Sequence, residues 1–242
     1  WVDVMFNPAF VQNHYLTFNG GEGKTKYNVS LGYVDQPGTM KGFDFQRYNF
    51  RSNITSDIND FITFGTNLAF KHGVKNSPRS GGGDIFLSTL AQAPTYGPYL
   101  PDGSGRYSYK AYLFESNNKN PVAIAENGVF NRLRDYSGNL QAWTNVKLLK
   151  GLSWYSKFAV NGDFYRNKDW RPVVPLYNFH TGEYMTNLDV GDKGLTNRSE
   201  QRIYTNLYSY LLYETSFVEK HNLKLQLGYS QENSKFENLT GY

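Results

Sequence analysis

Residues 20–25 read Gly-Gly-Glu-Gly-Lys-Thr, which resembles the end of a phosphate-binding loop, where backbone N–H groups and a lysine cradle phosphates. That loop also needs a glycine five residues before the one that precedes Lys24, and Phe18 stands there. Three glycines in six residues instead predict a tight hairpin turn, because glycine enters positive φ without a Cβ clash. The four histidines, His14, His72, His180 and His221, are too far apart for a helical ligand pair or a zincin signature. Asn187, Asp189 and Asp192 supply oxygen ligands, but not at the spacing of a calcium loop, and they read as a solvated turn. No Ser/His/Asp order or carboxylate pair adjoins a glycine-rich elbow. The sequence therefore offers no catalytic residue, metal site or cofactor site, and an enzyme is not expected.

Aromatic residues carry more information. Tyr96, Tyr99, Tyr107, Tyr109, Tyr112 and Phe114 fall in one long connection, and Trp170, Tyr177, Phe179 and Tyr184 in another. Both groups are interleaved with Asn, Asp, Arg and Lys. A flat ring beside polar groups suits capture of a sugar or peptide, because the ring stacks on an apolar face while its neighbours bond the edge. Tyr107, Tyr109, Trp170 and Tyr177 are the candidate contacts. Three uses stay open at this point: ligand contact, packing of the loops on each other, and contact with a partner protein.

Composition narrows the class. The 242 residues include 20 Tyr, 17 Phe, 23 Gly and no Cys, with a formal net charge of +4. Lys and Arg are scattered along the sequence and form no stripe, so a nucleic-acid groove is not indicated. Without cysteine the redox compartment is unmarked. A transmembrane helix needs about 20 apolar residues in a row, and no such run exists. A transmembrane strand needs only about 9–11 residues with every second one apolar, so a barrel reads as hydrophilic on average.

Period-two alternation, the mark of a strand with unlike faces, recurs in eight segments. Tyr27, Val29, Leu31 and Tyr33 oppose Asn28, Ser30 and Gly32; Phe64, Leu68 and Phe70 oppose Gly65, Asn67 and Lys71. Similar patterns surround Tyr48–Ile54, Trp154–Phe164 and Leu223–Tyr229, with weaker ones at His14–Phe18, Leu140–Leu148 and Ile203–Tyr213. In the last of these both alternating sets are bulky, so its facing is ambiguous. Residues 84–92 read as a short helix capped by Asp84, with Ile85, Leu87 and Leu90 turned inward.

The connections alternate in length. Residues 20–24, 57–61, 149–151 and 214–221 make short links, whereas 35–44, 73–135, 166–200 and a stretch opening near Glu232 make long ones. Long structureless loops are uncommon in compact soluble domains, whereas outer-membrane barrels have short periplasmic turns and long extracellular loops. The expected fold is all-β: an antiparallel transmembrane β-barrel segment of about eight strands. Tyr27, Val29, Leu31, Tyr33, Phe64, Leu68 and Phe70 are expected to face lipid.

The order of Trp1–Asp3, Gln12–Leu16, Gly20-Gly21, Lys24-Thr25, Val29–Tyr33, Lys41-Gly42, Asp44-Phe45, Arg47-Tyr48 and Arg51–Ile54 resembles the SusC/RagA family of TonB-dependent transporters. Gly65, Asn67, Leu68, Pro94, Asp102-Gly103, Asn120-Pro121 and Gly151-Leu152 continue the likeness. The resemblance implies a 22-stranded barrel of the bacterial outer membrane that imports glycans or peptides. It also implies a plug domain, energy relayed by TonB, and a SusD-like surface lipoprotein as lid. Residues 1–242 correspond to early barrel strands, with no plug, TonB-box segment or signal peptide, and both ends are expected to be cut from a longer chain. The rival readings are a small complete outer-membrane barrel with an adhesive or structural role and a soluble carbohydrate-binding β-protein. Strand closure separates the first, and the apolar character of the surface the second.

Overall fold

The computed structural model describes residues 1–78, 81–109, 120–127, 130–188, 194–217 and 221–242. In chain order these form α1 (Val2–Met5), β1 (Gln12–Glu22), β2 (Thr25–Pro37), β3 (Asp44–Asp57) and β4 (Ile62–Pro78). Next come α2 (Gly81–Leu90), β5 (Tyr107–Ser108), α3 (Pro121–Glu126), β6 (Phe130–Leu149) and β7 (Leu152–Arg171). The chain finishes with β8 (Pro175–Tyr177), β9 (Tyr184–Asn187), β10 (Gly194–Phe217) and β11 (His221–Gly241).

Eight long strands make one antiparallel wall in the order β1-β2-β3-β4-β6-β7-β10-β11. The fold is all-β. No ladder joins β1 to β11 among the described residues, so the wall is open and has two edges, as expected of a barrel segment and not of a complete eight-stranded barrel.

The three short links among the described residues are closed in different ways. Gly23 takes φ of 57° between β1 and β2, whereas Gly20 and Gly21 lie inside β1, paired with Tyr27 and Lys26. Of the three glycines, only one is used for the turn. Between β3 and β4, the Asn59 side chain accepts hydrogen bonds from the Phe61 and Ile62 amides at 2.8 and 2.9 Å, closing the turn locally. Gly151, at φ of 79°, accepts at its carbonyl oxygen from Glu214 N at 2.7 Å. A Cβ on Gly151 would stand 2.3 Å from the Glu214 carbonyl oxygen, so both conformation and space exclude a side chain there.

At the opposite end the links are residues 38–43, 79–129 and 172–193. The connection expected near Glu232 does not occur. β11 instead continues to Gly241, paired with β10 from Phe217↔His221 to Asn197↔Gly241. Strands of 20 to 24 residues are about twice what a crossing requires, so their second halves rise toward the long-link end.

Register divides the wall into two unlike faces, since directly paired residues point the same way. One row reads Leu16–Leu31–Phe50–Phe70 across β1 to β4, and another Val29–Ser52–Leu68–Leu140–Val160 across β2 to β7. The adjacent row on the other face is Asn19–Asn28–Asn53–Asn67–Gln141. The ambiguous strand is settled by its partners: Leu207 pairs with Phe158 and Leu211 with Trp154, which puts Tyr204, Tyr208 and Tyr210 on the polar side.

The buried core lies outside the wall. Met5, Ile85, Val122, Ala123, Ile124, Val174, Leu176 and Leu188 cluster at the long-link end, beside a small sheet ordered β5-β8-β9. This cap gathers residues from five separate segments. Its centre includes buried Asn120, which caps α3 by accepting from Ala123 N at 3.0 Å and donates to the carbonyls of Pro98 and Ser108, both at 2.8 Å. Pro121 follows at the first helical position, where its missing N–H costs nothing. The expected helix exists but begins at Gly81, so Asp84 lies in its first turn and is not its cap. Ile85 is fully buried, whereas Leu87 and Leu90 are exposed: one helical face meets the cap and the other does not.

Candidate functional site

Two features of the molecule are organised beyond what holding a sheet requires. The first is a belt on the apolar face. Leu31, Phe64, Leu68 and Phe70 each keep 40–46% of their surface open, although Leu31 and Phe70 both pair with Phe50 and Leu68 pairs with Leu140. Tyr27 is open on the same face, while Val29 and Tyr33 are half-buried against adjacent strands. Toward the long-link end the belt terminates in a row of rings, His14–Tyr33–Tyr48–His72–Tyr136–Phe164. Successive centroids from His14 to Tyr136 are 6.3, 4.9, 6.3 and 4.2 Å apart. Rings with an apolar body and a polar edge suit a boundary between hydrocarbon and water.

The belt's upper border slants across the strands. On β6 and β7 it ends at Tyr136 and Phe164, on β10 at Ile203, and on β11 at Tyr229, beyond which the same face carries Gln231, Asn233 and Lys235. Tilted strands produce such an oblique border when a flat apolar slab crosses them. On the other face, Ser30, Arg51, Lys71, Asn139 and Asp163 line a trough of about 590 Å³. Lys71 is ion-paired with Asp135 at 2.7 Å, and the Asn28 amide donates to Asn19.

The second feature is the cap's tyrosine and carboxylate cluster. Glu126, at the end of α3, accepts from the Tyr99 hydroxyl at 2.7 Å and from the Tyr107 hydroxyl at 3.0 Å, and pairs with Lys41 at 2.6 Å. Burial opposes the Glu126 charge, but the hydrogen bonds from Lys41, Tyr99 and Tyr107 outweigh it and hold the carboxyl below its usual range. Burial and the bond to Glu126 push the Tyr107 phenol up to about 12 and raise that of Tyr99 as well. Asp102 is held low by bonds from Ser104 and Arg106, and the Arg106 guanidinium sits over the Tyr177 ring at 4.8 Å.

Of the four candidate contact residues, three come together. β5 and β8 pair in parallel, Tyr107 with Leu176 and Ser108 with Tyr177, and the Tyr109 amide donates to the Tyr177 carbonyl at 2.8 Å. Tyr107 and Tyr109 also pack against the buried cluster, and the Tyr184 ring meets Tyr177 edge-on at 6.2 Å. Tyr184 is the more exposed of these rings, at 57%. Trp170 stands apart. It lies on β7, not in a loop, between Phe130 on β6 and Leu195 on β10, because the ladder continues above the belt. Tyr112, Phe114, Asp189 and Asp192 lie outside the described residues. Glu126 and Lys41 were missed from sequence because their partners come from segments remote in the chain. The described residues contain no cluster of metal-ligating side chains.

No family model matches the chain. It is 28% identical over 242 residues to TonB-dependent receptor P3 of Formosa agariphila, a match spanning 96% of this chain and 22% of that protein. It is 27% identical over 210 residues to TonB-dependent receptor SusC of Bacteroides thetaiotaomicron, covering 78% of this chain and 20% of SusC. The chain is SusC/RagA-like. The solved structure of the RagAB peptide transporter superposes with a TM-score of 0.69 at 19% identity, covering all of this chain and 27% of that one. That likeness concerns the fold, and it extends over wall and cap together. The SusC/RagA-like chain spans about a fifth of the length of the curated relatives it matches.

Proposed function

We propose that this chain forms part of the wall of a TonB-dependent nutrient transporter in a bacterial outer membrane. The observation that carries this reading is an open antiparallel wall whose apolar face is uncovered across its strands and ends in a row of rings. A soluble β-protein would bury such a face. The two free edges suit pairing with further strands, since unpaired backbone groups are costly in hydrocarbon. In this reading Tyr27, Val29, Leu31, Tyr33, Phe64, Leu68 and Phe70 face lipid, the short turns are periplasmic, and the cap is extracellular. The polar face lines the lumen.

The cargo is an oligosaccharide or a peptide, delivered with a SusD-like lipoprotein lid and driven by TonB acting on a region outside this chain. The peptide transporter of like fold supports a peptide cargo, and the oligosaccharide reading rests on the family resemblance. Tyr107, Tyr109, Tyr177 and Trp170 lie at the long-link end, where cargo or lid would arrive. Cargo binding to the full-length protein, measured with and without the lid for Ala variants of these four residues, tests the assignment. A ring that stacks on cargo loses about 0.5–1.5 kcal/mol, a two- to tenfold effect, in both settings. A loss seen only with the lid present assigns the ring to the lid. Unchanged binding in all four variants leaves the rings with loop packing alone.

A further inference from the structure

Directly above the ring row, on the same outward face, four cations occupy two adjacent rows. Arg134 pairs with Arg166, and Arg132 with Lys168. Like charges placed directly opposite each other in a sheet are destabilising, and all four side chains are exposed. Among the described residues no carboxylate forms an ion pair with any of them. Arg132 alone has a relay, its Nε donating to Asn76 at 2.7 Å while Asn76 donates to Asp44 at 2.7 Å. Across the sheet at the same height, Lys71 and Asp135, Arg171 and Asp169, and Arg198 and Glu200 are paired. These three polar-face cations have carboxylate partners, whereas among the described residues the four outward ones have none.

The cluster lines a groove of about 460 Å³, whose border includes Phe130 and Leu239. Its carboxylates on the same face are peripheral: Asp44 is held by Asn76, and Glu237, two strands from β7, is bound to Lys235 and Gln201. We propose that Arg132, Arg134, Arg166 and Lys168 bind the phosphate of an anionic lipid headgroup in the outer leaflet, with Tyr136 and Phe164 marking the level where its chains begin. This rests on the reading that the apolar face meets lipid. Guanidinium groups take phosphate oxygens bidentately, and a headgroup there relieves the repulsion between facing cations. A lipid is favoured over a soluble anion because the groove opens outward, immediately above the belt, where headgroups lie.

The test uses the full-length protein in neutral detergent and native mass spectrometry, with phosphatidic acid, phosphatidylcholine and inorganic phosphate as probes. Phosphatidic acid should be retained selectively, and Arg134→Gln with Arg166→Gln should weaken it about thirtyfold, taking about 1 kcal/mol for each cation. Arg134→Lys with Arg166→Lys should restore most of the binding, which excludes a general folding defect. Millimolar phosphate should not displace the lipid. Equal retention of phosphatidic acid by the Gln variant, or displacement by free phosphate, would overturn the proposal. A spin label at Leu140, on the belt below the cluster, separates the two readings. Oxygen access there with no lipid selectivity rejects the headgroup site alone, whereas water access rejects the membrane-facing wall as well.

Discussion

The wall and the cap obey different rules although one chain builds both. In the cap, Ile85, Val122, Ile124, Leu176 and Leu188 are sealed from solvent, and a buried polar group such as Asn120 has both its amide and its carbonyl satisfied. That is the interior of a water-soluble domain. The wall has backbone ladders along its whole length but almost no sealed side chains: Leu31, Leu68 and Phe70 are as open as surface residues. A sheet with one apolar face and no second layer has its missing layer supplied by the surroundings. Cap stability therefore comes from side chains meeting each other, and wall stability from ladders and, in the proposed reading, from lipid.

Substitutions of the same kind should separate the two regions. The largest loss is expected for Leu176→Ala, at about 2–5 kcal/mol of cap stability, because the fully buried side chain leaves a cavity. Limited proteolysis of the long links in the full-length protein should rise while the wall's resistance to heat in mild detergent stays. Leu31→Arg should do the converse, costing about 2–4 kcal/mol of membrane insertion near mid-belt without opening the cap. Ser30→Gln, one residue away on the polar face, should insert normally. If Ser30→Gln were the damaging change, the two faces would be reversed.

A smaller effect should appear in the cap with pH. Tyr107 has its folded pKa raised to about 12, so its contribution is complete below the unfolded value near 10 and is lost as pH rises toward 12. Glu126 is lowered, so its contribution is present above the ordinary carboxylate range and lost as pH falls through its folded value. Protease sensitivity of the cap should thus increase at both extremes, and Tyr107→Phe should blunt only the alkaline arm. An alkaline arm unchanged in Tyr107→Phe would assign it to other groups.

The wall was legible in the sequence because its rule is local: apolar and polar residues alternate from Tyr27 to Tyr33, and Phe64, Leu68 and Phe70 recur on one face of β4. Legibility ended where the strands leave the belt. Arg132, Arg134, Arg166 and Lys168 share a face with Tyr136 and Phe164, so polar residues occupy both faces and alternation in hydrophobicity vanishes, although the ladder continues. For the same reason the sequence pattern puts Trp170 in a loop and ends β11 near Glu232, whereas the ladder runs through both. The cap was legible only in its aromatic content. Met5, Ile124, Leu176 and Leu188 come from segments that carry no periodic signal of their own, and the Glu126 cluster joins Lys41, Tyr99 and Tyr107 across up to 85 residues. Leu87 and Leu90 were assigned inward from helical spacing, but a short helix on a small cap has only one side to bury.

The claim that the wall's apolar face meets lipid is tested most directly by spin labels placed singly along β2 and β4 of the full-length protein in bilayers. Labels at Val29, Leu31, Leu68 and Phe70 should be relaxed by oxygen and shielded from a water-soluble nickel chelate, and labels at Asn28, Ser30, Asn67 and Ala69 should show the opposite preference. A period-two alternation in phase with the apolar residues is the predicted result. Nickel access at Leu31 and Leu68, or no alternation at all, would contradict the account.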